Sequence, residues 1–142
     1  MVLTSISLRL PFPPSVNKAY VTTRAGRRIL SAEGKEYKRV VASTVATYCA
    51  NRPDAVFDVT PLVLTIHLHM VTENKGWSKG TAKSRYKKVD ASNRVKLLED
   101  ALFSCIGVDD SLVFDLHVHK ISLNDEEPYA LVTLSEKEKE SI

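Results

Sequence analysis

Between residues 62 and 70 every second position carries a large apolar side chain, Leu62, Leu64, Ile66, Leu68 and Met70, with Val63, Thr65, His67 and His69 between them. A period of two is the pattern of an extended strand that turns one face to a core. Similar alternations recur elsewhere. Ile6, Leu8 and Leu10 alternate with Ser5, Ser7 and Arg9 until Pro11, Pro13 and Pro14 end the strand. Leu112, Phe114, Leu116 and Val118 predict a third strand, and Ala130, Val132 and Leu134 a fourth, with Asn124 to Pro128 as the turn between them. Two stretches have helical spacing instead. Ser31 is placed as an N-cap with Glu33 in the first turn, and Tyr37, Val40, Val41, Thr44, Val45 and Tyr48 follow at steps of three and four, ending near Asn51 and Pro53. The second helix begins near Asp90 or Ser92 and runs to about Ser104, with Gly107 after its end. The order strand, helix, strand, helix, strand, strand predicts an α+β fold, one mixed sheet with helices packed on it.

A length of 142 residues is the common size of one domain, about 100 to 150 residues, so residues 1–142 read as a single domain. No apolar run is long enough to cross a bilayer, and the N-terminal stretch MVLTSISLRLPFPP alternates in polarity where a secretion signal would be basic and then apolar. The expected location is the cytoplasm. Cys49 and Cys105 are too few and too far apart for a disulfide framework or a zinc motif, and are read as reduced, buried thiols.

Net charge is only +3, but its distribution is uneven. Lys18, Arg24, Arg27, Arg28, Lys35, Lys38 and Arg39 form one basic stretch. Lys75, Lys79, Lys83, Arg85, Lys87 and Lys88 form another, inside a Gly-, Ser- and Lys-rich loop over residues 73–88 that is expected to be mobile. Residues 15–30 read as an exposed connection or a loose hairpin. Acid collects in Glu99, Asp100, Asp109, Asp110 and Asp115, and again in the charged tail over 136–142. Basic segments flanking a carboxylate cluster suit a polyanion held beside a metal ion; solvated loops would carry the same charges.

At about 100° per residue, Asn93, Lys96 and Asp100 share one narrow face of the second helix, while Val95, Leu98, Leu102 and Cys105 share another. Asp90 stands at the first turn, and Asp109 and Asp110 stand at the entry to the next strand. Carboxylates gathered without an opposing arginine repel, and a divalent cation relieves them; magnesium prefers such oxygen ligands and keeps several waters. Read by composition and spacing alone, Asp90 serves equally as a plain helix cap and Asp109–Asp110 as a plain turn. His67 with His69, and His117 with His119, each share one face of a strand; if those strands were neighbours, four imidazoles could surround zinc, and otherwise each pair marks a polar strand face.

The segments LPFPPSVNKAY, ILSAEGKEYKR, DASNRVKLLEDAL and GVDDSLVFD, in that order, resemble the RusA family of Holliday-junction resolvases over nearly the whole chain. The resemblance implies a magnesium-dependent endodeoxyribonuclease, with manganese as a second candidate ion, that acts as a homodimer on four-way junction DNA in recombination and repair. The family motif D-x-D-N-x-x-K with a later Asp pair implies catalytic roles for Asp90, Asn93, Lys96 and Asp110. It implies a metal site of Asp90 and Asp110, with Asp109 and Ser92 beside them. Where the family carries its second aspartate this chain has Ser92, a neutral hydroxyl; Asp109 or Asp100 is then the candidate for the missing charge. The implied DNA contacts are Lys18, Arg24, Arg27, Arg28, Lys83, Arg85, Lys87 and Lys88. The alternative function is junction binding with weak or no cleavage.

Overall fold

In the computed structural model, residues 4–123 and 127–138 are described. Among them, strands β1 (Ser5–Pro11), β4 (Leu62–Met70), β5 (Val113–Ser122) and β6 (Tyr129–Glu136) form one sheet in the order β1-β6-β4-β5. β6 pairs antiparallel with both β1 and β4, and β4 pairs parallel with β5, so the sheet is mixed and the fold is α+β. The parallel pair requires a crossover, which α3 (Ala91–Ile106) supplies.

The nine-residue alternation was decisive. Leu62, Leu64, Ile66 and Leu68 are fully buried on one face of β4, under α2 (Ala32–Ala50) and α3. Burying each leucine or isoleucine stabilises the fold by about 1.5–3 kcal/mol. Tyr37, Val41 and Val45 of α2, and Val95, Leu98 and Leu102 of α3, close the same core. Cys49 and Cys105 are free, but they are half-buried where burial was expected, because they stand near the C-terminal ends of these two helices, at the margin of the core. Both helix starts expected from the sequence are present: Ser31 accepts from the Gly34 amide at 3.1 Å, and Asp90 accepts from the Asn93 amide at 3.3 Å. Gly107, at φ 73°, closes α3 in the left-handed conformation.

Three parts differ from the sequence expectation. Residues 15–30 form the loose hairpin, β2 (Tyr20–Thr22) with β3 (Arg28–Leu30), but also a one-turn helix, α1 (Val16–Ala19), too short to show periodicity. β5 begins at Val113, because Leu112 belongs to a 3-10 turn over Asp110–Leu112. Phe114 and Leu116 lie in this strand, as expected, but are 56% and 48% exposed. The register passes from Leu62–Val113 to Val63–Asp115, skipping Phe114, and β5 is an edge strand that the helices do not cover fully. The segment over 73–88 is closed at its base: Glu73 bridges Tyr86, the Asn74 side chain donates to the Ser84 and Tyr86 carbonyls, and Arg85 pairs with Glu73 at 3.0 Å. The expected turn at Asn124 to Pro128 and the tail at 136–142 lie in part outside the described residues.

Gly34 explains the ILSAEGKEYKR segment physically. A Cβ there would lie 2.3 Å from the Ala19 carbonyl oxygen and 2.9 Å from a Leu30 methyl. Ser31 completes the junction by donating its hydroxyl to the Lys18 carbonyl at 2.5 Å. The short helix and hairpin are thereby pinned to the start of α2.

Candidate nuclease site

The site is built on α3. Its core side holds Val95, Leu98 and Leu102, all buried, so the opposite side is forced outward. Lys96 is exposed there and, among the described residues, makes no ion pair. Its expected helical partner Asp100 is engaged elsewhere, accepting from the Tyr20 hydroxyl at 3.2 Å. Burial, then the Asp100 charge, holds that hydroxyl protonated beyond the ordinary tyrosine range. Lys96 is left as an uncommitted ammonium.

Asp90 is exposed at the N-cap, one oxygen occupied by the Asn93 amide. Ser92 is exposed one turn from Lys96. Asn93 has a positioning role: its amide oxygen accepts from the Val16 backbone at 2.7 Å, satisfying the start of α1, whose own cap residue Ser15 makes no side-chain bond. Arg94 reinforces the joint by donating to the Pro13 carbonyl at 3.0 Å with its guanidinium over Phe12. The PFPPSVN and DASNR segments, far apart in sequence, thus meet in one clamp.

At the other end of the face, Asp109 is committed to capping the 3-10 turn, accepting from the Ser111 amide at 2.9 Å. The hydrogen bonds from Ser111 hold its carboxyl below the usual range. Asp110, next in the chain, is exposed. Its neighbour across the gap is Glu99, a residue that sequence reasoning left among the general acids. Burial, and then the charges of Asp110 and Asp100, raise the Glu99 carboxyl above its ordinary range. The signal was available: Glu99 lies three residues after Lys96, on the same side of the helix as Ser92. At 1.5 Å per residue, Asp90 is about 9 Å from Lys96 and about 13 Å from Glu99 along the axis. Lys96 therefore sits between the two carboxylate ends. Among the described residues, no three His, Cys, Asp or Glu side chains are gathered tightly enough to hold one metal ion together.

Both basic segments are rooted at this face. The hairpin leaves from Tyr20, which touches Asp100, and carries Arg24 and Arg27 at its tip, beside Gly26 at φ 80°. Lys87 and Lys88 run directly into Asp90. Lys18, Arg24, Arg27, Arg28, Lys83, Arg85, Lys87 and Lys88 are all exposed; Arg28 lies over the Tyr20 ring, and Arg85 over Tyr86 and against Glu73.

A lysine between carboxylates with basic segments beside it is a face suited to a polyanion. The family model of endodeoxyribonuclease RusA matches residues 11–135, and the chain belongs to that family. No match was found among curated proteins. Among the described residues, no helix is long and apolar enough to cross a membrane.

Proposed function

We propose that this protein resolves four-way DNA junctions in recombination and repair, by magnesium-dependent hydrolysis on the exposed face of α3, as a cytoplasmic homodimer. The whole chain would serve as one endonuclease domain. The observation that carries the reading is Lys96, exposed and unpaired between Asp90 at one end of the face and Asp110 with Glu99 at the other.

The donor chemistry fits a hard dication. Asp90 and Asp110 offer exposed carboxylate oxygens, and Glu99, raised by burial and then by the charges of Asp110 and Asp100, carries a charge that a cation would favour. Magnesium needs only one or two protein carboxylates when waters and a substrate phosphate fill the shell. When bound, the ion supplies positive charge at the scissile phosphate and makes water easier to ionise. Asp110 with Glu99 at one end of the face, or Asp90 at the other, would hold that charge, since an axial separation of about 13 Å is too great for one ion to span, and Asp109 would steady the turn that presents Asp110. Lys96 donates hydrogen bonds to phosphate oxygens as negative charge builds on them, or to the departing oxygen. Glu99 is less committed than Asp100 or Asp109, because Tyr20 occupies one and the 3-10 cap the other, but it stands about two turns from Ser92 and would serve the Asp110 end of the face. The exposed basic residues of the hairpin and loop take up backbone phosphates without reading sequence. A twofold dimer would present two such faces to two strands of like polarity, giving paired cuts.

The test is cleavage of a synthetic four-way junction with magnesium or manganese by wild type and Lys96→Ala. Paired nicks that vanish in the variant support the reading; tight binding without cutting at any metal concentration overturns it. That second outcome is junction binding without catalysis, a reading favoured by the neutral side chain at Ser92.

A further inference from the structure

β4 and β5 are neighbours, and their register sets His67 beside His119, Thr65 beside His117 and His69 beside Ile121. All four histidines therefore share one face of the sheet. It is the face away from the helices, since the intervening Leu64, Ile66 and Leu68 are the ones buried under α2 and α3. The imidazoles are not equivalent. His69 is stacked on Tyr129 at 4.5 Å and 10°, its Nε2 is buried without a hydrogen-bond partner among the described residues, and Arg9 lies over the same tyrosine. The His69 ring centroid lies 6.3 Å from that of His67. His67 and His119 instead face each other with centroids 5.1 Å apart and planes at 86°.

We propose that His67 and His119 form a two-imidazole site for a late first-row transition-metal dication, nickel, copper or zinc. The site is separate from the carboxylate face of α3. Two imidazoles bound at about 2.0–2.1 Å to one tetrahedral ion place their ring centroids about 5.2 Å apart. The observed spacing matches, so ligation requires ring rotation and no movement of either strand. Nitrogen donors select these ions over magnesium. Thr65, His69, His117, Ile121 and, on β6, Leu131 are the register neighbours of the pair on this face, and Arg9 stands one strand further on, over Tyr129. Water completes the shell, because no third ligand is gathered there among the described residues. The ion would cross-link the two parallel strands, stabilising the folded state by mass action.

The test uses untagged full-length protein titrated with nickel by calorimetry and with copper by electron paramagnetic resonance. The expected result is one ion per chain that excess magnesium does not displace, with nitrogen splitting from two imidazoles and a raised Tm with nickel. His67→Gln and His119→Gln should each weaken binding at least about tenfold. His117→Gln and Asp110→Asn should leave it intact, with metal-free Tm values confirming that each variant folds. Unchanged affinity in His119→Gln or His67→Gln overturns the assignment. Equal loss in His117→Gln overturns the two-imidazole site in favour of a diffuse cluster, and loss in Asp110→Asn places the ion at the carboxylates.

Discussion

Replacing Lys83, Lys87 and Lys88 with glutamine isolates the electrostatic role of the loop over residues 73–88. All three side chains are exposed and, among the described residues, none is in an ion pair, so their removal leaves the fold intact. Arg85 is kept, because its bond to Glu73 closes the base of the loop and its loss would confound charge with structure. If each lysine contacts one phosphate of a duplex arm, the slope of log affinity against log salt falls by about 0.9 per residue, about 2.7 for the three. Across a fourfold salt change, as from about 50 to 200 mM, the native protein then loses about 40-fold more affinity than the variant. Fluorescence anisotropy with a labelled four-way junction, in calcium or chelator to prevent cutting, measures both slopes. Equal slopes would show that these lysines do not touch DNA. Cleavage lost even at saturating protein would show that the loop takes part in chemistry, contrary to the separation drawn between loop and site.

Asp90→Asn and Asp110→Asn should each abolish junction cutting while leaving binding intact or tighter, since less acid faces the phosphates; equal loss of both activities in a gel assay would assign these residues a folding role. Ser92→Asp should lower the magnesium concentration for half-maximal cutting, because a charged oxygen favours a hard dication; an unmoved midpoint places residue 92 outside the metal's reach. Glu99 has a raised folded carboxyl pKa, so its contribution to stability is present below the ordinary glutamate range and lost as pH rises through the folded value. Glu99→Gln should therefore raise Tm at neutral pH and leave it unchanged in acid, with added magnesium narrowing the neutral-pH gap; a gap that persists into acid means the effect is packing. Gly34→Ala should destabilise by about 1–3 kcal/mol, the usual cost of overpacking, because its Cβ would strike the fixed Ala19 carbonyl; an unchanged urea midpoint would mean that α1 moves away freely.

How much of this was legible in the sequence depended on the range of the interaction involved. The strand over Leu62–Met70, the helix caps at Ser31 and Asp90 and the stop at Gly107 rest on neighbours within a few residues, and each is where the local pattern placed it. The exposure of Lys96 followed from the same periodicity, because Leu98 and Leu102 claim the core side of its helix. The family was legible as well, since its four segments are linear strings. Phe114 and Leu116 lie in the strand that alternation gave them, but their exposure depends on a register shift against Leu62 and on where the sheet ends, neither of which alternation encodes.

Only the tertiary structure decided which polar groups of the site are free. Val16 draws Asn93 into a backbone bond, Tyr20 occupies Asp100, and Ser111 occupies Asp109; the sequence could name all of these groups but could not distribute their hydrogen bonds. The same packing sets Glu99 near Asp110, and the parallel register of β4 with β5 brings His67 to His119. Periodicity assigns a residue to a face, because that follows from the backbone's own geometry. Which partner it meets there depends on how distant segments dock, and a hydrogen bond or a shifted carboxyl depends on that distance to within an ångström or so.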